Sequence, residues 1–249
     1  MKHTAPACSQ QHPTHILSKE KTMHIEPGIV EGSKMLLSYG TAAAALAYAA
    51  KLSFDTIRRD GAASLLLRAA LATLLVFCFF EVFPHHPVGV SEVHLILGTT
   101  LLLIFGLAPA ALGLAGGLLA QGMLFAHFDL PQYGINVTTL LVPLFATAVL
   151  AKKIIPADTP YVDIRYGQAL KLSLAYQGGI VAWVAFWAFY GQGLGADNLS
   201  QVVSFGAAYM TVVIVEPLID LAVLAVAKFL NGLRNTMFVE KRLYSGTRA

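Results

Sequence analysis

Long apolar stretches separated by short polar ones dominate the chain. A helix needs about 20 consecutive apolar residues to cross the hydrocarbon core of a bilayer. Runs of this kind extend from Met35 to about Phe54, from Ala62 to about Phe83, from Ile135 to Ala151, from Ala169 to Tyr190 and from Val202 to Leu230. A further stretch, Val93 to Ala126, has no charged residue and is too long for one comfortable crossing. Pro109 sits in its middle, where Gly106-Leu107-Ala108-Pro109-Ala110 offers a helix breaker and a turn. Periodicity leaves two readings of this stretch, one bent helix or two short ones.

Charge decides between them, because Lys and Arg collect on the cytoplasmic side of membrane helices. With two short helices the chain has about seven spans. An outer N-terminus then puts three basic groups inside: Lys51, Arg58 and Arg59; Lys152, Lys153 and Arg165; and Arg234, Lys241, Arg242 and Arg248. Arg68, Lys171 and Lys228 fall near inner helix ends, where long side chains can reach the interface. The outer connections 84–93, 127–134 and 191–200 contain no Lys or Arg, and from Met23 onward only Lys34 falls outside. Six spans would move the two later groups to the side opposite the first. The expected fold is therefore an all-α polytopic bundle of about seven transmembrane helices, N-terminus outside and C-terminus cytoplasmic.

Composition narrows the function classes. Of 249 residues 56% are hydrophobic and 12% charged, with a mean hydropathy of +0.65; soluble domains carry about 25% charge. A disordered chain, a coiled coil and an ordinary cytosolic enzyme are excluded. Cys8 and Cys78 form neither a zinc spacing nor a disulfide framework. The net charge of +3 gives no reason to expect a nucleic-acid partner. The sequence has no phosphate-binding Gly-x-x-x-x-Gly-Lys-Ser/Thr loop, no His-Glu-x-x-His and no Cys-x-x-Cys-His. Neither ATP hydrolysis nor catalysis is expected of this chain.

The topology gathers chemistry on one side. His24, His85, His86, His94 and His127 all fall outside, with Glu92, Asp129 and Asn136, which suggests a site loaded from that side. Residues 1–22 are polar and lack a secretory core. They read as a disordered extension, or as a mis-called start ahead of Met23, with residues 23–249 as a single membrane domain. His3, His12 and His15 in this extension could also gather metal. If the mature chain begins at Met23, its amine, the His24 backbone nitrogen and the His24 imidazole can close two fused chelate rings on one ion. Nitrogen-rich tetragonal sites suit late first-row divalent metals, and one further imidazole completes a four-nitrogen set. Histidine coordinates as the neutral ring, so binding weakens at low pH.

Met23-His24-Ile25 followed by Gly28 resembles the N-terminal signature of the substrate-binding component of cobalt and nickel energy-coupling-factor transporters, the CbiM/NikM family. Gly89-Val90-Ser91-Glu92-Val93-His94 is similar to the family's Gly/Ser-rich loop ending in a metal-binding His, Gln121-Gly122-Met123-Leu124-Phe125 to its Gln-x-x-Leu-Phe segment, and Gly134-Ile135-Asn136 to its Gly-x-Asn motif. Glu216 resembles a Glu in the family's last helix. The resemblance spans roughly Met23 to Leu230. It implies Co2+ or Ni2+ as transported substrate, held by the Met23 amine, the His24 amide nitrogen and imidazole, and the His94 imidazole. Asn136 is implied as a supporting group, with Ser91, Glu92, His86 and Gln121 as further candidates. It also implies a bacterial plasma (inner) membrane location, a transmembrane scaffold subunit, a pair of cytoplasmic ABC ATPases and a small accessory membrane subunit. Glu26-Pro27-Gly28 and the carboxylate of Glu92, two residues before His94, depart from the usual pattern.

Other features carry two readings each. His85-His86-Pro87 could feed metal to the site or be interfacial. His127 and Asp129 read as loop residues. Gln121 braces the site or bridges helices. Glu216 and Asp220, four apart on the last helix with Pro217 predicting a kink between them, read as a relay, a partner contact or interhelical hydrogen bonding. Gly113/Gly117 and Ala45/Ala49 allow close helix approach, within the bundle or toward a scaffold. Trp183, Trp187 and Tyr190 read as an outer interfacial belt. Two other functions fit the same features: a membrane haem protein using His94 and His127, and a stand-alone metal channel or secondary transporter.

Overall fold

The computed structural model describes residue 25, residues 28–84 and residues 86–233. Met23, His24, His85, Cys8 and the histidines of the first 22 residues lie outside them, so the readings placed on those positions are not addressed by the structure. Among the described residues there are seven α-helices: α1 (Met35–Asp60), α2 (Ala62–Glu81), α3 (Gly98–Phe105), α4 (Leu107–Leu124), α5 (Tyr133–Ile154), α6 (Tyr166–Gln192) and α7 (Ala196–Leu233). Between α2 and α3 lies a small antiparallel hairpin, β1 (His86–Val88) and β2 (Ser91–Val93), pairing His86 with Val93 and Val88 with Ser91. Five helical stretches are long and apolar enough to cross a membrane, and the chain is an all-α polytopic membrane protein.

The helices outrun the apolar runs that announce them. α1 continues past Phe54 to Asp60, and α7 begins at Ala196 rather than Val202. Polar end residues extend a helix once its apolar face is packed, and Lys51 consequently lies within α1 and not in a loop. Along α7 the buried residues Phe205, Tyr209, Val212, Glu216, Asp220 and Leu224 recur every three or four positions, which makes one continuous inward stripe. α7 runs through Pro217 as one helix.

Two expectations for the long uncharged stretch are corrected. Its break falls at Gly106, whose φ of +90° is open chiefly to glycine, and not at Pro109. Pro109 lies in the first turn of α4, where the amide it lacks would have had no intrahelical partner. The stretch also does not begin as a helix. Residues 94–97 are in no regular element and are buried or half-buried, and α3 has only eight residues, roughly 12 Å of rise. This crossing is part non-helical chain and part helix.

α3 sits in the middle of the bundle, touching α2, α4, α5, α6 and α7. Around it α2 packs on α4, α4 on α5, α5 on α6, α6 on α7, and α1 on α5. The α2–α4 contact depends on missing side chains. A Cβ on Gly113 would lie 2.4 Å from the Cβ of Ala72, and one on Gly117 would lie 2.5 Å from a methyl of Val76. Ala45 and Ala49 are buried as well, so both small-residue spacings serve the bundle itself. The interfacial-belt reading of the tryptophans also changes. Trp187 is fully buried, and the Trp183 indole donates to the Thr138 hydroxyl at 3.2 Å.

The two ends of the bundle differ as the charge pattern anticipates. At one end Arg68 joins the carboxylate of Asp60 and the carbonyl of Phe105, and Lys228 donates to the carbonyl of Val162. The other end holds the hairpin, the start of α5 and Lys34, whose ammonium donates to the Gly191 carbonyl at 2.7 Å. Introducing leucine at Gly113 should force α2 and α4 apart at a cost of about 1–3 kcal/mol; a thermal melt of the detergent-solubilised protein should fall by several degrees, and an unchanged midpoint would contradict this packing.

Candidate functional site

The hairpin and the non-helical chain after it deliver His94 into the bundle. His94 is 7% exposed and meets the ring of Phe80 edge-on, with centroids 4.7 Å apart. Its Nδ1 lies 3.3 Å from the carbonyl oxygen of Leu95. A carbonyl only accepts, so this bond requires the proton on Nδ1 and leaves Nε2 as the lone-pair nitrogen of the ring.

His94 lines a cavity of about 20 Å³, room for one water-sized species. Ser91 and Glu92 reach it from β2, Asn136 and Thr139 from the first turns of α5, and Tyr209 from α7. Ile25 closes it from the N-terminal side and is 2% exposed. The Ile25 amide donates to Asn136 Oδ1 at 3.3 Å, which ties the chain just after position 24 to the wall of the His94 cavity. Asn136 also lines a smaller cavity of about 10 Å³ with Gln121 and Asp129. Gln121 therefore stands behind Asn136, outside the space that His94 faces.

The remaining candidates divide. Ser91 and Glu92 are buried beside His94. His86 is exposed; it shares with His94 a shallower groove of about 220 Å³ between the hairpin and α7. His127 is exposed and does not line the His94 cavity, and that cavity is far smaller than a haem, so the two histidines do not enclose one. Among the described residues no group of three His, Cys, Asp or Glu side chains could hold a metal ion.

Two polar residues of the cavity, Thr139 and Tyr209, are not marked out by the sequence. Thr139 follows Asn136 by one helical turn, and that spacing could have flagged it. Tyr209 lies two turns before Glu216 on the inward stripe of α7, a periodicity hidden by the apolar residues around it.

Fold and cavity together define a polytopic helical membrane protein with a buried, histidine-lined chamber near one end of the bundle. The profile of the CbiM family, described as the cobalt uptake substrate-specific transmembrane region, matches residues 24–233, and the chain belongs to that family. A crystal structure described as a truncated transition metal transporter has the same fold, with a TM-score of 0.60 at 16% identity, covering 84% of this chain and 99% of that one. A comparison with curated proteins finds no match.

Replacing Asn136 with leucine should leave the Ile25 amide without its acceptor, at a cost of about 1–3 kcal/mol. Hydrogen exchange over residues 25–30 should accelerate while the helices stay protected; equal exchange in the variant and the parent would argue against this tie.

Proposed function

We propose that the chain is the substrate-capture component of an ATP-dependent importer for a divalent transition metal, cobalt or nickel. Membership in a cobalt-uptake family supports the metal class. The observation that carries the site is the Ile25–Asn136 hydrogen bond, because the residue bonded to Asn136 directly follows His24 and shares a cavity with His94. In this reading the mature chain starts at Met23. Its amine, the His24 amide nitrogen and the His24 imidazole supply three ligands, and His94 Nε2 supplies the fourth. Asn136 orients the entering segment, as groups behind a metal ligand do.

The His-rich end faces outward and the basic end faces the cytoplasm of a bacterial plasma membrane. A transmembrane scaffold, a pair of cytoplasmic ATPases and a small accessory membrane subunit complete the importer. ATP-driven movement of the scaffold reorients this subunit and releases the ion inward. A four-nitrogen set with a deprotonated amide favours Ni(II), and cobalt fits the same donors.

Calorimetry with Ni(II) and Co(II) on the purified protein tests this reading. His94→Ala, or one extra residue placed ahead of Met23, should abolish high-affinity binding. Affinity in the parent should also fall as the pH drops below about 6.5 and the imidazoles take up protons. Parent-like nickel and cobalt binding in His94→Ala would refute the site.

A further inference from the structure

The polar groups on α7 face the non-helical chain that carries His94. Ile96, two residues beyond His94, donates its amide to Glu216 Oε1, and the Leu97 amide points to the same carboxylate. The Thr100 hydroxyl and amide turn to Asp220. Glu216 is held in turn, since Gln177 Nε2 donates to its Oε2 and the Tyr209 hydroxyl donates to Gln177 Oε1 at 2.9 Å. Glu216, Gln177 and Tyr209 are all 1% exposed or less.

Four residues, His94 to Leu97, separate the hairpin pair Val93–His86 from the first turn of α3. Leu97 is held at a φ of +54°, a conformation leucine rarely adopts and keeps only where its surroundings impose it. The linker is thus pinned at both ends, by β1 on one side and by α7 on the other. We infer that Glu216 is a positioning residue for the metal ligand His94, setting the path of the Ile96–Leu97 backbone and so the place of the imidazole, with Gln177 and Tyr209 fixing the carboxylate. This inference rests on the proposed metal site. It gives Glu216 a role in substrate affinity without making it a ligand.

Ni(II) titration of the full chain, followed by calorimetry and by the visible absorption band of the bound ion, tests it. The parent and His94→Ala set the reference. Glu216→Gln should weaken Ni(II) binding at least about tenfold and shift the band toward that of His94→Ala, with gel filtration unchanged. Gln177→Met, which leaves the carboxylate in place and removes its Gln177 donor together with the acceptor of the Tyr209 hydroxyl, should shift both readouts in the same direction by a smaller amount. If Glu216→Gln does not fold, Gln177→Met decides alone. Parent affinity and parent absorption in Gln177→Met, or in a folded Glu216→Gln, would overturn the inference. If the parent itself shows no His94-dependent binding, it is the proposed metal site that fails.

Discussion

A stretch of backbone that is neither helical nor part of a closed barrel can lie inside a bundle at membrane depth only where other groups take up its amides. The chain from Ser91 to Leu97 meets that condition through β1 at its start and α7 at its end, where Glu216 takes the Ile96 and Leu97 amides. An unpaired buried amide costs about 1–3 kcal/mol, and without α7 the amides of Ile96, Leu97 and Thr100 would be left so, close together. An acid at the centre of a membrane helix costs on the order of 2.5–3.5 kcal/mol when it has no donors to face. Placed against Ile96, Leu97 and Thr100, the carboxylates of Glu216 and Asp220 and the amides relieve each other. The two acids on α7 and the non-helical part of the crossing are therefore one feature, and neither is stable without the other.

From this pairing the rest of the chamber follows. α3 begins directly after the non-helical chain, and at its first turn the Thr100 hydroxyl donates to Asp220. The hairpin leans on α7, and His94 hangs between two fixed points. Asn136, in the first turn of α5, receives the N-terminal segment from the opposite side. Each wall of the cavity is supplied by a different element; Glu216, Gln177 and Tyr209 hold one side, and the Ile25–Asn136 bond holds the other.

Much of this architecture was legible in the sequence. Long apolar runs located the helices, and the segregation of bases from histidines separated the two ends. The break at Gly106 was within the right five residues but attributed to the wrong one, because a proline in the first turn of a helix does not interrupt it. The non-helical chain at 94–97 leaves no mark in the pattern, since an apolar residue facing a bundle reads alike in strand, helix and irregular chain. Glu216 and Asp220 were recognised as costly at that depth, yet their partners are backbone amides, which leave no mark in a residue pattern. His94 stood out through its resemblance to a known loop, and its neighbours Thr139 and Tyr209 emerged only when three helices met.

The part-helical crossing has a geometric consequence. A helix with its side chains fills a column about 10–12 Å across, while a strand lies only about 4.7–4.9 Å from its neighbour. Where the third crossing gives up its helix, the chain around His94 and Ile96 faces Ile25 across the small chamber. At the opposite end a cavity of about 430 Å³ lies under Leu102 and Leu103 and shares no lining residue with the His94 chamber. The chain runs from Ile96, which lines the first, through the first turn of α3 to Leu102, which lines the second, so the start of this helix separates the two spaces.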